Sequence, residues 1–110
     1  PAYGGTSTAD ELGMGIHGGL HETSVYLHLR PEHVDLSRAA RKVPEALDAN
    51  EFVKFGGAVM FGWLSNDFDD EGYIGDPTGA TADLGKRLFE ANVEHLGRQM
   101  AEIKTFNFGR

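Results

Sequence analysis

A long amphipathic pattern near the end of the chain limits the folds that the chain can adopt. It predicts a helix for which the rest of the sequence offers few packing partners. From about residue 80 to residue 104, the spacing of apolar residues predicts one continuous helix with a single apolar stripe. The stripe consists of Phe89, Val93, Leu96, Met100 and Ile103, and Leu84 and Leu88 extend it. A stripe of this length has to be buried against another layer of secondary structure.

The ends of this helix carry the usual signals. Thr78 or Thr81 can cap its first turn with a hydroxyl oxygen. Asp83 near the start and Lys104 near the end both complement the helix dipole. The pattern therefore predicts a helix that is well defined at both ends.

The rest of the chain offers few partners for that helix. Residues 56–64, GGAVMFGWL, form a short apolar run between glycines and predict a buried strand. Residues 20–30 fit a strand or a helix almost equally well, and Pro31 ends either one. Residues 1–12 and 65–79 read as loops. A single strand needs neighbours, so we expect a C-terminal part of a larger folded unit rather than a trimmed small domain.

Composition excludes several classes of partner. The 110 residues carry a formal net charge of −7, which disfavours nucleic acid and anionic membrane surfaces. Cysteine is absent, so no disulfide framework or thiolate metal site is expected. No apolar run approaches the roughly 20 residues of a spanning helix, and no signal peptide is visible. A cytoplasmic protein is the default expectation.

Two metal patterns can be read in the sequence, and both are incomplete. Asp67, Asp69 and Glu71 begin like a calcium loop, but Thr78 stands where the bidentate Glu is needed. In HGGLHE, the Glu lies outside the histidine pair, unlike the metalloprotease motifs. Solvated acidic residues and a glycine-rich turn are the simpler interpretations.

His17 is the remaining candidate for chemistry. A histidine between glycines can serve as a general acid or base near neutral pH. It can equally be a hydrogen-bonded histidine in a glycine-rich turn. A Ser-His-Asp triad through Ser24 is disfavoured because the chain has no G-x-S-x-G elbow.

Two segments resemble the creatininase (creatinine amidohydrolase) family. The first is GIHGGLHETSVYLHLRPEHVDLSRA, which is similar to the family's His-Gly-Gly step, Glu-Thr-Ser and P-x-x-V-D-L tail. The second is GYIGDPTGATADLGKRLFEANVEHL, residues 72–96, which is similar to the family's G-D-P loop and final helix. The two segments occur in the family's order and together cover most of residues 13–100.

The resemblance implies an α/β fold, with residues 1–110 as the C-terminal half of one three-layer α/β/α sandwich and residues 1–12 as a loop leading into it. It also implies a hydrolase of cyclic amides with two divalent metal ions, which are Zn, Mn or Fe. The family's ligands lie in Glu-x-His and His-x-Glu motifs, which this chain lacks. The metals would therefore be held mainly by residues outside this chain. The implied partners are an N-terminal half chain, a small-molecule substrate and further copies in a homo-oligomer.

The resemblance also assigns roles to residues of the motif. His17 matches the family's acid/base, and Glu22 would orient it or face the metals. Gly18 and Gly19 would let the backbone approach the substrate, and His21 would help to recognise it. Creatinine itself is disfavoured because the aromatic and acidic residues of creatinine-specific members are replaced here, at Gly13, Met14 and Ile16.

The leading hypothesis is thus part of a metal-dependent hydrolase that opens a small, cyclic amide. One alternative is hydrolytic cleavage of a ring carbon–carbon bond in a keto sugar. The other is a non-catalytic half-domain kept for assembly.

Overall fold

Two α-helices dominate the computed structural model, which describes residues 9–110. Helix α1 spans Leu20–Leu29 and helix α2 spans Ala82–Thr105. Six single 3-10 turns connect and flank them, at Ala9–Glu11, Pro31–His33, Leu36–Arg38, Glu45–Leu47, Ser65–Asp67 and Pro77–Gly79. The loop predicted for residues 1–12 lies mostly outside the described residues.

Helix α2 confirms the helix predicted from the apolar stripe. Thr81 is its N-cap, and the Thr81 hydroxyl accepts a hydrogen bond from the Leu84 N–H at 3.1 Å. Asp83 lies in the first turn and Lys104 in the last. The Thr81 cap and the two charges follow from local sequence, so they could be predicted without a tertiary structure.

Helix α1 resolves the ambiguity of residues 20–30 in favour of a helix. It ends at Leu29, where the Arg30 N–H still bonds to the Tyr26 carbonyl at 2.7 Å before Pro31. Its partner is α2. The two backbones approach so closely that a Cβ on Gly85 would overlap the Ser24 carbonyl. The contact with α2 favours the helix over the strand that the alternating apolar residues also allowed.

The strand predicted for residues 56–64 is wrong. Gly57 closes a turn with the Lys54 carbonyl at 2.9 Å, and the backbone pairing here is one isolated bridge between Val53 and Val59. The chain then packs its aromatic rings on one another, with Phe55 at 5.1 Å from Trp63 and 5.4 Å from Phe68 between centroids. An apolar run forms a strand only when another strand takes up its backbone hydrogen bonds, and residues 9–110 supply none.

The described part of the chain is therefore mostly helical, and it contains isolated bridges rather than strands. Two of these bridges matter for the site. Ile74 pairs with His17, with N–H to O distances of 2.8 and 3.0 Å, and Gly75 pairs with Lys42 at 2.8 and 3.0 Å. The Ile74 side chain is fully buried. This short extended segment thus fixes His17, three positions before α1 begins.

Few apolar side chains are buried. Among the described side chains, Met14, Ile74 and Ala80 form the buried apolar set. The α2 stripe lies on the surface, where exposure rises from 37% at Phe89 to 72% at Ile103. Within residues 9–110, neither helix combines the length and the apolar character needed to cross a bilayer.

Candidate functional site

His17 lies on the turn that leads into α1, beside Glu22 of the first helical turn. The distance from His17 Nδ1 to Glu22 Oε2 is 3.6 Å, and the two side chains are 60% and 57% exposed. Nδ1 is the ring nitrogen that lies nearer to Glu22. At this distance the carboxylate lies beside the imidazole without a hydrogen bond between them.

Of the three residues after His21, Glu22 and Thr23 form hydrogen bonds to this turn, and Ser24 forms one to α2. Glu22 Oε2 accepts a hydrogen bond from the Gly18 N–H. The Thr23 hydroxyl donates to the Gly18 carbonyl at 3.2 Å. The Ser24 hydroxyl, which is fully buried, accepts from the Thr81 N–H at 3.1 Å and so connects α1 to the start of α2. The Glu-Thr-Ser sequence therefore fixes the geometry of the His17 turn.

Gly18 is required at its position by conformation and by space. Its φ is +65°, where residues with a side chain are strained. An added Cβ would also come within 3.0 Å of the Tyr73 Cβ. Gly18 lets the chain turn tightly between His17 and α1.

Glu11 is a site residue that the sequence reasoning missed. Its side chain is 1% exposed, and Oε1 accepts hydrogen bonds from the Leu20 N–H at 3.0 Å and the Asp76 N–H at 2.8 Å. Gly19 packs against the same oxygen, which leaves no room for a Cβ there. No sequence signal marks Glu11, because its partners lie 9 and 65 positions away.

A cleft runs alongside the His17 turn. It consists of two adjoining cavities of about 290 and 360 Å³. His17, Glu22 and Tyr26 line the first, while Arg38, Glu71 and Tyr73 are among the residues that line the second. Both cavities are lined by Gly18, Thr23, His33, Val34 and Asp35. These shared residues make the two cavities one continuous cleft.

The structure brings three of the five predicted site residues to this cleft. His17, Gly18 and Glu22 line it, whereas Gly19 is buried beneath the turn and His21 is not among the lining residues. The roles of Gly19 and His21 toward a substrate stay predictions.

The other histidines occupy different surroundings. His28 contacts the Phe89 ring at 5.9 Å between centroids. His33 lines the cleft, which sequence reasoning did not foresee. His95 is half-buried and lines a cavity beside Leu96.

The acidic loop is held by a lysine. Lys42 Nζ lies 2.8 Å from Asp69 Oδ2 and 3.5 Å from Glu71 Oε2. The Lys42 hydrogen bond is the main cause that lowers the pKa of Asp69, and the same bond raises the pKa of Lys42. Asp67 instead accepts from the Leu64 N–H at 2.7 Å. These carboxylates are engaged in structural contacts.

Within residues 9–110, no group of three or more His, Cys, Asp or Glu side chains is placed to hold a metal ion. The described residues taken alone therefore do not fit a two-metal centre. Any such centre has to take ligands from elsewhere.

Comparison with known proteins connects this site to a family. The family model of creatinine amidohydrolase, Creatininase, matches residues 2–100. The chain belongs to the creatininase family, whose members are metal-dependent amidohydrolases with an α/β fold. The family resemblance of the two motifs is thereby confirmed.

Curated relatives narrow the comparison further. The mycofactocin precursor peptide peptidases of two Mycobacterium tuberculosis strains, CDC 1551 / Oshkosh and ATCC 25618 / H37Rv, are each 36% identical over 87 residues. The match covers 77% of this chain and 32% of each relative, so the chain spans about a third of their length. No solved structure matches the chain significantly.

Proposed function

We propose that this chain is the C-terminal half of a metal-dependent amidohydrolase, with His17 as its acid/base. The observation that carries the proposal is the His17–Glu22 pair, set on a fastened glycine turn at the edge of a cleft. Family membership supports a hydrolase that acts on amide bonds.

In this proposal, His17 works through its two ring nitrogens. Nδ1 lies beside the Glu22 carboxylate, and Nε2 takes up the proton that is to be transferred. Nε2 then delivers that proton to the amide nitrogen that leaves. The open cleft gives the scissile amide access to Nε2.

The metal ligands, the rest of the fold and the oligomer are proposed for parts of the protein outside the described residues. We assign the two divalent metal ions to the N-terminal half, since residues 9–110 supply no ligand set of their own. The complete unit would be a three-layer α/β/α sandwich in a cytoplasmic homo-oligomer. Strands of the N-terminal half would cover the exposed α2 stripe.

The substrate remains a small, cyclic amide in our leading proposal, with creatinine disfavoured. A peptide amide is the second candidate. It is favoured by the relatives, which are named as peptidases that act on a precursor peptide, and by the open cleft beside His17.

The test is His17→Ala in the assembled protein. Loss of a positioned acid/base lowers turnover by about 10²- to 10⁴-fold, and metal content and assembly should not change. Glu22→Gln should lower turnover less, because a neutral amide still accepts from Gly18. His95→Ala, on α2, is the control and should keep full activity.

Metal analysis of the same samples decides between two roles. If His17→Ala lost metal in proportion to its activity, His17 would be a ligand and the proton-transfer role would be wrong. If the assembled protein held no metal and turned over neither cyclic nor peptide amides, the assembly role would replace the enzyme.

A further inference from the structure

Arg38 lies in the part of the cleft away from His17, and it forms no ion pair with a carboxylate among the described residues. It closes the 3-10 turn Leu36–Arg38 and lines the 360 Å³ cavity. Within residues 9–110, no Asp or Glu oxygen lies within 4.0 Å of its guanidinium, and its side chain is exposed. The pKa of Asp35, in the same cavity, is lowered mainly by the hydrogen bonds from Ser37, and the charge of Arg38 adds a smaller effect. A guanidinium whose N–H groups have no partner can bind an oxyanion through charge-assisted hydrogen bonds.

The carboxylates that line the cleft are each held by another donor. Glu22 accepts from Gly18, and Glu71 lies 3.5 Å from Lys42 Nζ. Asp35 Oδ1 accepts from the Ser37 N–H at 3.0 Å and from the Ser37 hydroxyl at 2.6 Å. Arg38 is thus the positively charged residue of the cleft whose guanidinium N–H donors have no hydrogen-bond partner among the described residues.

The wall that carries Arg38 is fixed relative to the His17 turn. The Tyr73 hydroxyl donates to the Ala40 carbonyl at 3.0 Å and accepts from the Ala40 N–H at 3.1 Å. Tyr73 also packs beneath Gly18, and Ile74 pairs with His17. The segment of Tyr73 and Ile74 therefore contacts both the backbone near Arg38 and the His17 turn.

We propose that Arg38 binds a carboxylate of the substrate, so that the amide cleaved at His17 belongs to a molecule that bears a carboxylate at its other end. This inference rests on the second candidate of the proposed function, the peptide amide, and adds a substrate class to it. A carboxylate receptor also gives a chain of net charge −7 a local attraction for an anionic substrate. The carboxylate is either the C-terminus of a peptide or an acidic side chain.

The experiment measures binding, so that it does not depend on turnover. Calorimetry on the assembled protein compares acetyl-dialanine, which has a free C-terminal carboxylate, with acetyl-dialanine amide. A third probe, acetyl-alanyl-glutamic acid α-amide, has only its side-chain carboxylate free and distinguishes the two carboxylate sources. The variants are Arg38→Gln and Arg38→Lys, with Arg87→Gln on the exposed face of α2 as the charge-matched control.

We expect the wild type to bind one of the carboxylate probes about 10- to 100-fold more tightly than the amide, as a charge-assisted hydrogen bond allows. Arg38→Gln should remove that preference, Arg38→Lys should retain part of it, and Arg87→Gln should leave it unchanged. Equal affinities for all three probes, no binding of any, or equal losses in Arg38→Gln and Arg87→Gln would overturn the proposal. A carboxylate preference without amide hydrolysis would keep this site and reject the proposed function.

Discussion

Glu11 is the residue at which two remote parts of the chain meet. Its buried oxygen satisfies the first N–H of α1 and the N–H of Asp76. Helix starts leave N–H groups without partners inside the helix, and α1 has no capping side chain at Gly19. Glu11 supplies the missing acceptor from outside the helix.

We predict that Glu11→Ala destabilises the protein by about 1–3 kcal/mol, because two N–H groups lose a partly buried acceptor. Glu11→Gln keeps an amide oxygen at the same place and should recover most of the loss. Urea unfolding of the assembled protein measures both. An alanine variant as stable as the wild type would show that water replaces the carboxylate at no cost.

The Lys42–Asp69 pair makes stability depend on pH at both extremes. The pKa of Asp69 is lowered in the folded state. Its contribution to the free energy of unfolding is therefore complete above the unfolded-state pKa of 3.8, and it is lost as the pH falls through the lower folded-state pKa. The pKa of Lys42 is raised in the folded state. Its contribution to the free energy of unfolding is therefore complete below the unfolded-state pKa of 10.5, and it is lost as the pH rises through the higher folded-state pKa.

We therefore expect the stability difference between the wild type and Asp69→Asn to be constant from about pH 5 to pH 9 and to narrow on either side. Unfolding in urea at a series of pH values measures it. Asp70→Asn, in the same loop, is the control and should show no such profile. A difference that persists unchanged at pH 2 would assign the effect to packing rather than to the ion pair.

At the scale of elements, the crossing of α1 and α2 depends on Gly85. Its Cα lies against the Ser24 carbonyl, and a clash with backbone cannot be relieved by a change of rotamer. The same crossing carries the hydrogen bond from Thr81 to Ser24. The crossing thereby couples α2 to the helix that holds Glu22.

Gly85→Ala should push the helices apart and destabilise the protein by about 1–3 kcal/mol or more. Gly97→Ala is a matched control on the same helix, because nothing lies within 4 Å of the added Cβ. That control should instead stabilise α2 by up to about 1 kcal/mol through helix propensity. Thermal unfolding of both variants gives the comparison, and equal shifts would refute the close crossing.

For the whole molecule, the exposed α2 stripe is the dominant feature. Val93 and Leu96 are each 56% exposed, and Met100 is 61% exposed. Burying side chains of this kind is worth roughly 1.5–3 kcal/mol each. Such a face on a 24-residue helix favours association with another surface.

Residues 1–110 expressed alone should therefore sediment as associated species, and Val93→Glu with Leu96→Glu should make them smaller. Arg98→Glu, elsewhere on α2, adds negative charge as a control and should leave the association in place. Amide exchange in the same samples reports protection. A well-protected monomer would contradict the half-domain hypothesis.

Local sequence was sufficient for some features and insufficient for others. The α2 helix and its Thr81 cap depend on residues three or four positions apart, so they could be predicted. The His17 motif could be found through family resemblance, but its fastening by Glu11 and Tyr73 could not, because those contacts span 9 to 65 positions. The strand at 56–64 was wrong for a related reason, since a strand depends on a neighbour that the local pattern does not show.

The sequence by itself determined that the chain has one long amphipathic helix, a glycine turn with His17 and Glu22, and membership of the creatininase family. These features reside in short-range spacing and in motifs, which are properties of the linear chain. Tertiary structure alone decided that residues 20–29 form a helix, that Ser24 and Gly85 set the helix crossing, and that Arg38 and His17 line one cleft. Each of those outcomes depends on which distant backbone and side-chain groups can satisfy one another, because hydrogen bonding and close packing act through space.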